Sequence, residues 1–340
     1  MDDRRKTMKV LLTGAFGNIG LQTLRELLAH GHTVRCFDVA TQENQRRAKQ
    51  VAGRFDTVWG DLRQPGDVAR AVQGQEAIIH LAFVIPNLSM TGVGSEEQPD
   101  FARDVNVGGT LNLLAAAKAS PQQPRFVFAS SLHVYGRTDH LPPPRRVADP
   151  VQPVEHYAWH KVTCEQMVKS AGLRWAILRL GASMPIRLIV DPGVFDVPLN
   201  NRIEYVHGRD VALAMTNTLS SEAVWGRTWL IGGGPACQFL YRDMAAQVLD
   251  AFGVGMLPDW AFRTVPFATD WLDTTESQQV LRFQRHTLQD YVADVRAALG
   301  PKRYAVIALR PLIRRHLLQL SPNYALHRNG LKGLPAGAVA

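Results

Sequence analysis

The stretch KVLLTGAFGNIG at residues 9–20 decides how this chain reads. Its first four residues are a short apolar run with the look of a buried strand, and Ile19–Ala29 has the spacing of an amphipathic helix. Between them, Gly14, Gly17 and Gly20 recur at intervals of three. A bare glycine pattern can be no more than a tight turn. Placed between a strand and a helix, it lets the backbone approach a pyrophosphate while the helix N-terminus offers free amides. The stretch therefore predicts a dinucleotide cradle.

Working outward, short apolar runs recur at Thr33–Phe37, Thr57–Trp59, Ala77–Leu81, Phe126–Ala129 and Trp175–Leu178. Helical patterns such as Val68–Val72 and Val105–Ala119 fill the gaps. This alternation predicts an α/β fold, a Rossmann-type doubly wound parallel sheet with ligands at the carboxyl ends of its strands. After Gly181 the rhythm weakens, and residues 181–204 read as irregular. Helices at Arg209–Leu219, Arg242–Ala251 and Leu288–Leu299 and a strand at Thr228–Ile231 follow. The expected division is a dinucleotide-binding domain over 8–180, to which later segments return, a mainly substrate-binding lobe over 181–300, and a basic extension over 301–340. Leu141–Pro153 is too proline-rich for a sheet and reads as a loop, either a surface connection or a flap toward substrate.

The second apolar run ends at Asp38, 18 residues after Gly20. A carboxylate there can accept both hydroxyls of an adenosine ribose and repels a 2′-phosphate, which favours NAD over NADP. Arg46 and Arg47 could offset that repulsion, although they sit one or two helical turns further on. Asp61 and Leu62 follow the third run. They can meet the adenine edge, or Asp61 can cap a helix beginning near Pro65.

In Tyr157-Ala-Trp-His-Lys161 the tyrosine and lysine are four apart and share one helical face. An ammonium beside a phenol favours the phenolate and lowers its pKa. Ser130 and Ser131 follow the fifth run, where a hydroxyl can polarise a carbonyl. Together these residues supply a hydrogen-bond donor, a general acid/base and a group that tunes it.

With these pieces in place the chain resembles the extended short-chain dehydrogenases/reductases, the NAD-dependent epimerase/dehydratase family. TGAFGNIG, Asp38, GDL at 60–62, HLAF at 80–83, NVGGT at 106–110, SSLHVYG at 130–136, YAWHK at 157–161, LR at 178–179 and YVHGRDVA at 205–212 appear in family order. The resemblance implies that Tyr157 is the catalytic acid/base, Ser131 the substrate-orienting hydroxyl, and Lys161 the residue that holds the nicotinamide ribose and lowers the tyrosine pKa. It implies NAD as cofactor, with a pyrophosphate cradle of Gly14, Gly17 and Gly20 and the amides of Asn18 and Ile19. Leu81, Ala82 and Phe83 would line the cofactor, and Asn106 matches a structural asparagine behind them.

Two departures matter. The family's sugar-nucleotide 4,6-dehydratases carry Asp-Glu just after the catalytic hydroxyl, where this chain has Leu132 and His133. The acid needed to eliminate water is missing. Many sugar-nucleotide enzymes of the family also carry Asn three residues beyond the arginine of the sixth strand, where this chain has Ala182. The expectation is hydride transfer between NAD and a secondary alcohol or ketone, a sugar or an apolar hydroxy compound. A nucleotide-sugar 4-epimerase with retained NAD and a non-catalytic NAD-sensing protein stay open as alternatives. His133 reads either as a substrate ligand or as a packing residue.

The charge is lopsided. The net charge is +8, yet the last acidic residue is Asp294, and eight cations from Arg296 to Lys332 follow it without an anion. Residues 1–294 therefore balance, which argues against a nucleic-acid face spread over the fold. Arg303, Arg310 and Arg314 form a helical stripe with Ala305, Ala308, Leu309, Leu312 and Leu320 roughly opposite. That stripe predicts weak contact with an anionic membrane surface, or a helix packed on the body or on a second subunit as in a homodimer. Pro311 is expected to interrupt it. The start MDDRRKTM, whose two aspartates do not suit a signal peptide, the absence of a long apolar stretch and three scattered cysteines (Cys36, Cys164, Cys237) predict a cytoplasmic protein without metal.

Overall fold

The computed structural model describes residues 7–86, 92–186 and 192–330. The strands are β1 Lys9–Thr13, β2 Thr33–Asp38, β3 Asp56–Trp59, β4 Ala77–His80, β5 Arg125–Ser131, β6 Trp175–Leu180, β7 Arg202–Glu204, β8 Arg227–Ile231 and β9 Gln238–Leu240. Seven of them form a parallel sheet in the order β3-β2-β1-β4-β5-β6-β8. Strand order reverses between β1 and β4, and that switch point opens a crevice at the carboxyl ends of the strands.

The two-residue strand period sorts the core into two layers. Leu11, Ile78, Phe126, Phe128 and Ile177 face the helices Gly109–Ala119 and His156–Ser170. Val10, Leu12, Ile79, Val127 and Leu178 face the helices Asn18–Ala29 and Gly208–Thr218. Both faces are covered, so the strands are apolar on both sides. His80 is buried inside this frame, where its ring bonds Thr13 Oγ1 at 2.7 Å and Thr110 Oγ1 at 3.0 Å. Burial first, and then the Lys161 charge, press its pKa down to about 3, which leaves a neutral ring tying β1 and β4 to the helix Gly109–Ala119.

A second core, around Phe195, Tyr205, Tyr241, Phe252, Phe262 and Tyr291, lies beyond the sheet. β7 pairs antiparallel with β9 beneath it. This corrects the irregular reading of 181–204 at its end, where Arg202–Glu204 is a strand. Three-residue strands paired across 33 positions leave no local period, and the pairing is held instead by Glu204, whose carboxylate accepts from the amides of Gly234 and Leu272 and from Gln238 Nε2. Leu141–Pro153 has no helix or strand. It is stitched to the lobe where Arg145 N donates to Trp271 O at 2.7 Å and Asp273 N to Arg145 O at 2.8 Å.

The basic extension packs on the body, one of the two expected readings, but with its arginine stripe turned toward it. The helices Lys302–Ala308 and Arg310–Gln319 pack on the lobe and bury Val306 and Leu317. Arg303 donates to the carbonyls of Asp250 and Ala251, and Arg314 Nη1 to those of Val254, Gly255 and Met256. The stripe therefore faces the body, because the open carbonyls after the helix Tyr241–Ala251 attract cations. Pro311 lies in the first turn of the second helix and starts it, as its missing N–H allows. Lys332 lies outside the described residues.

Candidate active site

β1 hands the chain to a turn in which Gly14 adopts φ +66°, a conformation that side chains resist. A Cβ at Gly14 would stand 2.7 Å from Ala82 N, and one at Gly20 would stand 2.0 Å from Gly14 O. The turn can thus be this tight only with glycine at both positions. Gly17 occupies the N-cap of the helix Asn18–Ala29 and has no side chain to cap it, so the first amides of that helix face open space. That space is a cleft of about 850 Å³ running from the glycine turn to Tyr157.

Gly14, Gly17, Asn18, Ile19 and Gly20 line one end of the cleft, with Asp38, Asp61 and Leu62 beside them. Leu81, Ala82 and Phe83 line its floor, and Tyr157 and Lys161 stand at the other end. Asn106 does not reach it. Its side chain is fully buried, accepts from Val84 N at 2.7 Å and donates to Val84 O at 2.9 Å, and so pins the segment after β4 from behind. Asn106 is a positioning residue rather than a cofactor contact.

Asp38 is more engaged than its place in the sequence suggests. Oδ2 accepts from Phe16 N, and Oδ1 accepts from Val39 N and Asn44 Nδ2. A carboxylate offers about four acceptor positions, so about one is left, on Oδ2, for a ribose hydroxyl. Burial lifts the Asp38 pKa to about 6, against these amide bonds and the nearby Arg47 charge. Arg47 does line the cleft, contrary to its distance along the chain, yet Glu43 already pairs with it at 2.7 Å. Asp61 is no helix cap, since Gln64 fills that place. Its carboxylate instead holds Arg63 in a fork, at 2.6 and 3.0 Å.

At the far end, Ser130 and Ser131 belong to β5 itself, and Tyr157 and Lys161 lie in the helix His156–Ser170. The start of that helix is fixed by Glu96, which accepts from the amides of His156 and Tyr157, both at 3.0 Å. Lys161 Nζ donates to Ala129 O at 2.6 Å, lies 3.4 Å from the centre of the Phe83 ring and is 5.6 Å from that of Tyr157. The expected lowering of the phenol pKa is not what this arrangement gives. Burial pushes Tyr157 up to about 12, with Ser131 opposing and Glu155 adding to the rise, and burial pulls Lys161 down to about 7. Spacing placed the two side chains on one face, but desolvation outweighs their mutual effect. The site as built favours a neutral tyrosine, ready to donate a proton.

Several neighbours were invisible to spacing. His133 pairs through Nδ1 with Glu155, and its ring meets those of Tyr157 and Phe267 edge-on at 5.6 and 5.5 Å. It thus packs beside Tyr157, between it and Phe267. Ser130 donates to Glu165 at 2.6 Å, and Arg179 clamps the same carboxylate at 2.9 and 2.8 Å. Burial alone would raise Glu165, yet the Arg179 guanidinium holds it below the ordinary carboxylate range. Arg179 also donates to Tyr135 Oη at 2.8 Å, so its donors are turned inward.

Residues 10–183 match the model of the NAD dependent epimerase/dehydratase family. The chain belongs to that family. Among curated members, a 3-beta-hydroxysteroid dehydrogenase of Mycolicibacterium neoaurum is 37% identical over 123 residues, 36% of this chain and 32% of that protein. A UDP-glucose 4-epimerase of Pisum sativum is 30% identical over 195 residues, 53% of each chain. The matched stretches therefore span about a third to a half of these relatives. A solved dTDP-glucose 4,6-dehydratase from Streptomyces venezuelae, with NAD bound, superposes with a TM-score of 0.70 at 25% identity, over 86% of this chain and 98% of that one. The family match ends near the start of the lobe, and the lobe's likeness to family members is one of fold.

Proposed function

We propose that this family member is an oxidoreductase that moves a hydride between NAD and a secondary alcohol or ketone of largely apolar character. The observation that carries the reading is that Tyr157 and Lys161 line one end of a cleft whose other end is the glycine turn, with the Ser131 side chain hydrogen-bonded to Tyr157 beside them. The turn fits a dinucleotide on its own geometry, since a Cβ at Gly14 or Gly20 would fill it and the helix behind Gly17 is uncapped. Gly14, Gly17 and the amides of Asn18 and Ile19 would hold the diphosphate. Asp38 would hold the adenosine ribose, Asp61 and Leu62 the adenine edge, and Lys161 the far ribose. Bound there, the nicotinamide supplies or accepts the hydride.

The chain's own part is proton transfer and orientation. Ser131 holds the substrate oxygen. Tyr157 gives it a proton during reduction and takes one during oxidation, and the Lys161 ammonium, when protonated, favours the phenolate that oxidation requires. The apolar preference rests on Phe83 beside Tyr157 and on Leu180, Pro185 and Ile186 along the cleft, with the His133 ring against Tyr157 backed by Phe267. Ala182 lacks the amide that many sugar-nucleotide enzymes place there, and Arg179 is engaged with Glu165. The M. neoaurum relative is named for action on a hydroxysteroid, which agrees with this class.

A 4-epimerase uses the same three residues and keeps its hydride, and the P. sativum relative bears that name. Following reduced-nicotinamide absorbance while apolar hydroxy compounds, free sugars and nucleotide sugars are supplied separates the readings. Net NADH from apolar alcohols is expected. Isomer interconversion without net NADH would establish the epimerase instead, and tight NAD binding without either would leave a sensing protein.

A further inference from the structure

The extension after Gly300 turns Arg303, Arg310 and Arg314 toward the body and leaves several apolar residues facing outward. Tyr304, Leu309 and Leu312 are 75%, 52% and 64% exposed, and with the exposed Ala305 and Ala308 they follow helical spacing of three and four. They form one face along the helices Lys302–Ala308 and Arg310–Gln319. This face cannot fold under, because the opposite side is fastened. Arg303 and Arg314 cap the carbonyls at Asp250–Met256, Ser321 Oγ donates to Ala261 O at 2.6 Å, and His327 stacks on Trp260 with ring centres 3.8 Å apart. The apolar face is thus displayed on a rigid mount.

The extension itself carries one sign of charge. Lys302 and Arg315 are exposed, neither forms an ion pair among the described residues, and no acidic residue follows Asp294, while Arg310 donates through Nε to Val254 O at 2.7 Å. A second copy docked face to face would set these cations against themselves with no carboxylate from the same segment to answer them. An anionic lipid leaflet answers both features at once, with acyl chains for the apolar ridge and headgroups for its rim. No helix among the described residues is long and apolar enough to cross a membrane, so the contact lies in the plane of the interface.

We propose that residues 302–316 form a peripheral membrane-docking surface that inserts Tyr304, Leu309 and Leu312 into an anionic leaflet. The inference is independent of the reaction. Flotation of the full chain with phosphatidylcholine vesicles, with and without phosphatidylserine, tests it beside two variants, Leu309→Ser/Leu312→Ser and Lys302→Glu/Arg315→Glu. The unaltered chain is expected to float with the anionic vesicles. Each variant should lower the bound fraction about ten-fold, because one loses burial and the other attraction. Unchanged melting curves would show that the fold survives, as exposed positions predict. Failure of the unaltered chain to float, equal flotation of Leu309→Ser/Leu312→Ser, or equal binding to neutral vesicles would overturn the proposal. So would a solution dimer in sedimentation equilibrium that the leucine variant dissolves, which would assign the face to self-association.

Discussion

The two ends of the cleft are built in different ways. The glycine end is made of backbone from one contiguous stretch, Thr13 to Gly20, and works through the amides at the start of the helix Asn18–Ala29, which no side chain caps. The reaction end is made of side chains from segments far apart: Ser131 on β5, Glu96 and Glu155 before the helix of Tyr157 and Lys161, and Phe267 from the lobe. A contiguous turn can change only as a unit, and glycine is required at its tightest points. A converging site can change its walls one residue at a time while the proton carrier stays in place. The difference explains how one family model can fit this chain while its relatives bear the names of steroid and sugar-nucleotide enzymes.

The largest expected effect sharpens this division. Tyr157→Phe removes the proton that moves and should cut turnover about 10²- to 10⁴-fold, read as the initial rate of NADH formation. Gly20→Ala attacks the other end. Its Cβ would overlap Gly14 O at 2.0 Å and Ala15 C at 2.8 Å, and relief by backbone shift costs about 1–3 kcal/mol. NAD affinity should fall about 10- to 100-fold in a calorimetric titration, with turnover at saturating NAD close to that of the unaltered chain. An equal loss of turnover at saturation would mean that the ends are not separable.

The smallest effect is the pH dependence. With Tyr157 raised to about 12, the phenol is neutral through the ordinary range, so ketone reduction should stay nearly flat between about pH 7 and 9. Alcohol oxidation needs the phenolate and should quicken as pH rises, by at most about ten-fold per unit. Lys161 adds a stability term of definite sign. Its folded pKa of about 7 lies below the ordinary lysine value of 10.5, so the unfolded chain binds more protons between them. Stability should therefore rise with pH across that window and lose this contribution as pH falls through 7. A melting temperature that falls from pH 7 to 9 would contradict it.

Much of the glycine end was legible in the sequence because its determinants are local. KVLLTGAFGNIG carries strand, turn and helix within twelve residues, and the β1–β6 runs lie within a few residues of their observed bounds. The reaction end was legible only in its spacing. Tyr157 and Lys161 share a face as i, i+4 requires, but the burial that reverses the expected pKa shift comes from packing, as with Phe83 against the ammonium. Glu96 reaches the helix start across 60 positions and Glu155 reaches His133 across 22, and no periodicity announces such pairs. The orientation of the extension was not legible for a related reason. An amphipathic pattern fixes two faces but not which one meets the body, and here carbonyls at Asp250–Met256 accept from the arginines.

The separation of binding from chemistry is tested most directly by calorimetric titration of NAD into the Tyr157→Phe protein. The account predicts a dissociation constant within about two-fold of that of the unaltered chain, a difference below about 0.5 kcal/mol, in a protein whose turnover has collapsed. Affinity lost in proportion to turnover would contradict it and place Tyr157 in the cofactor cradle rather than in proton transfer.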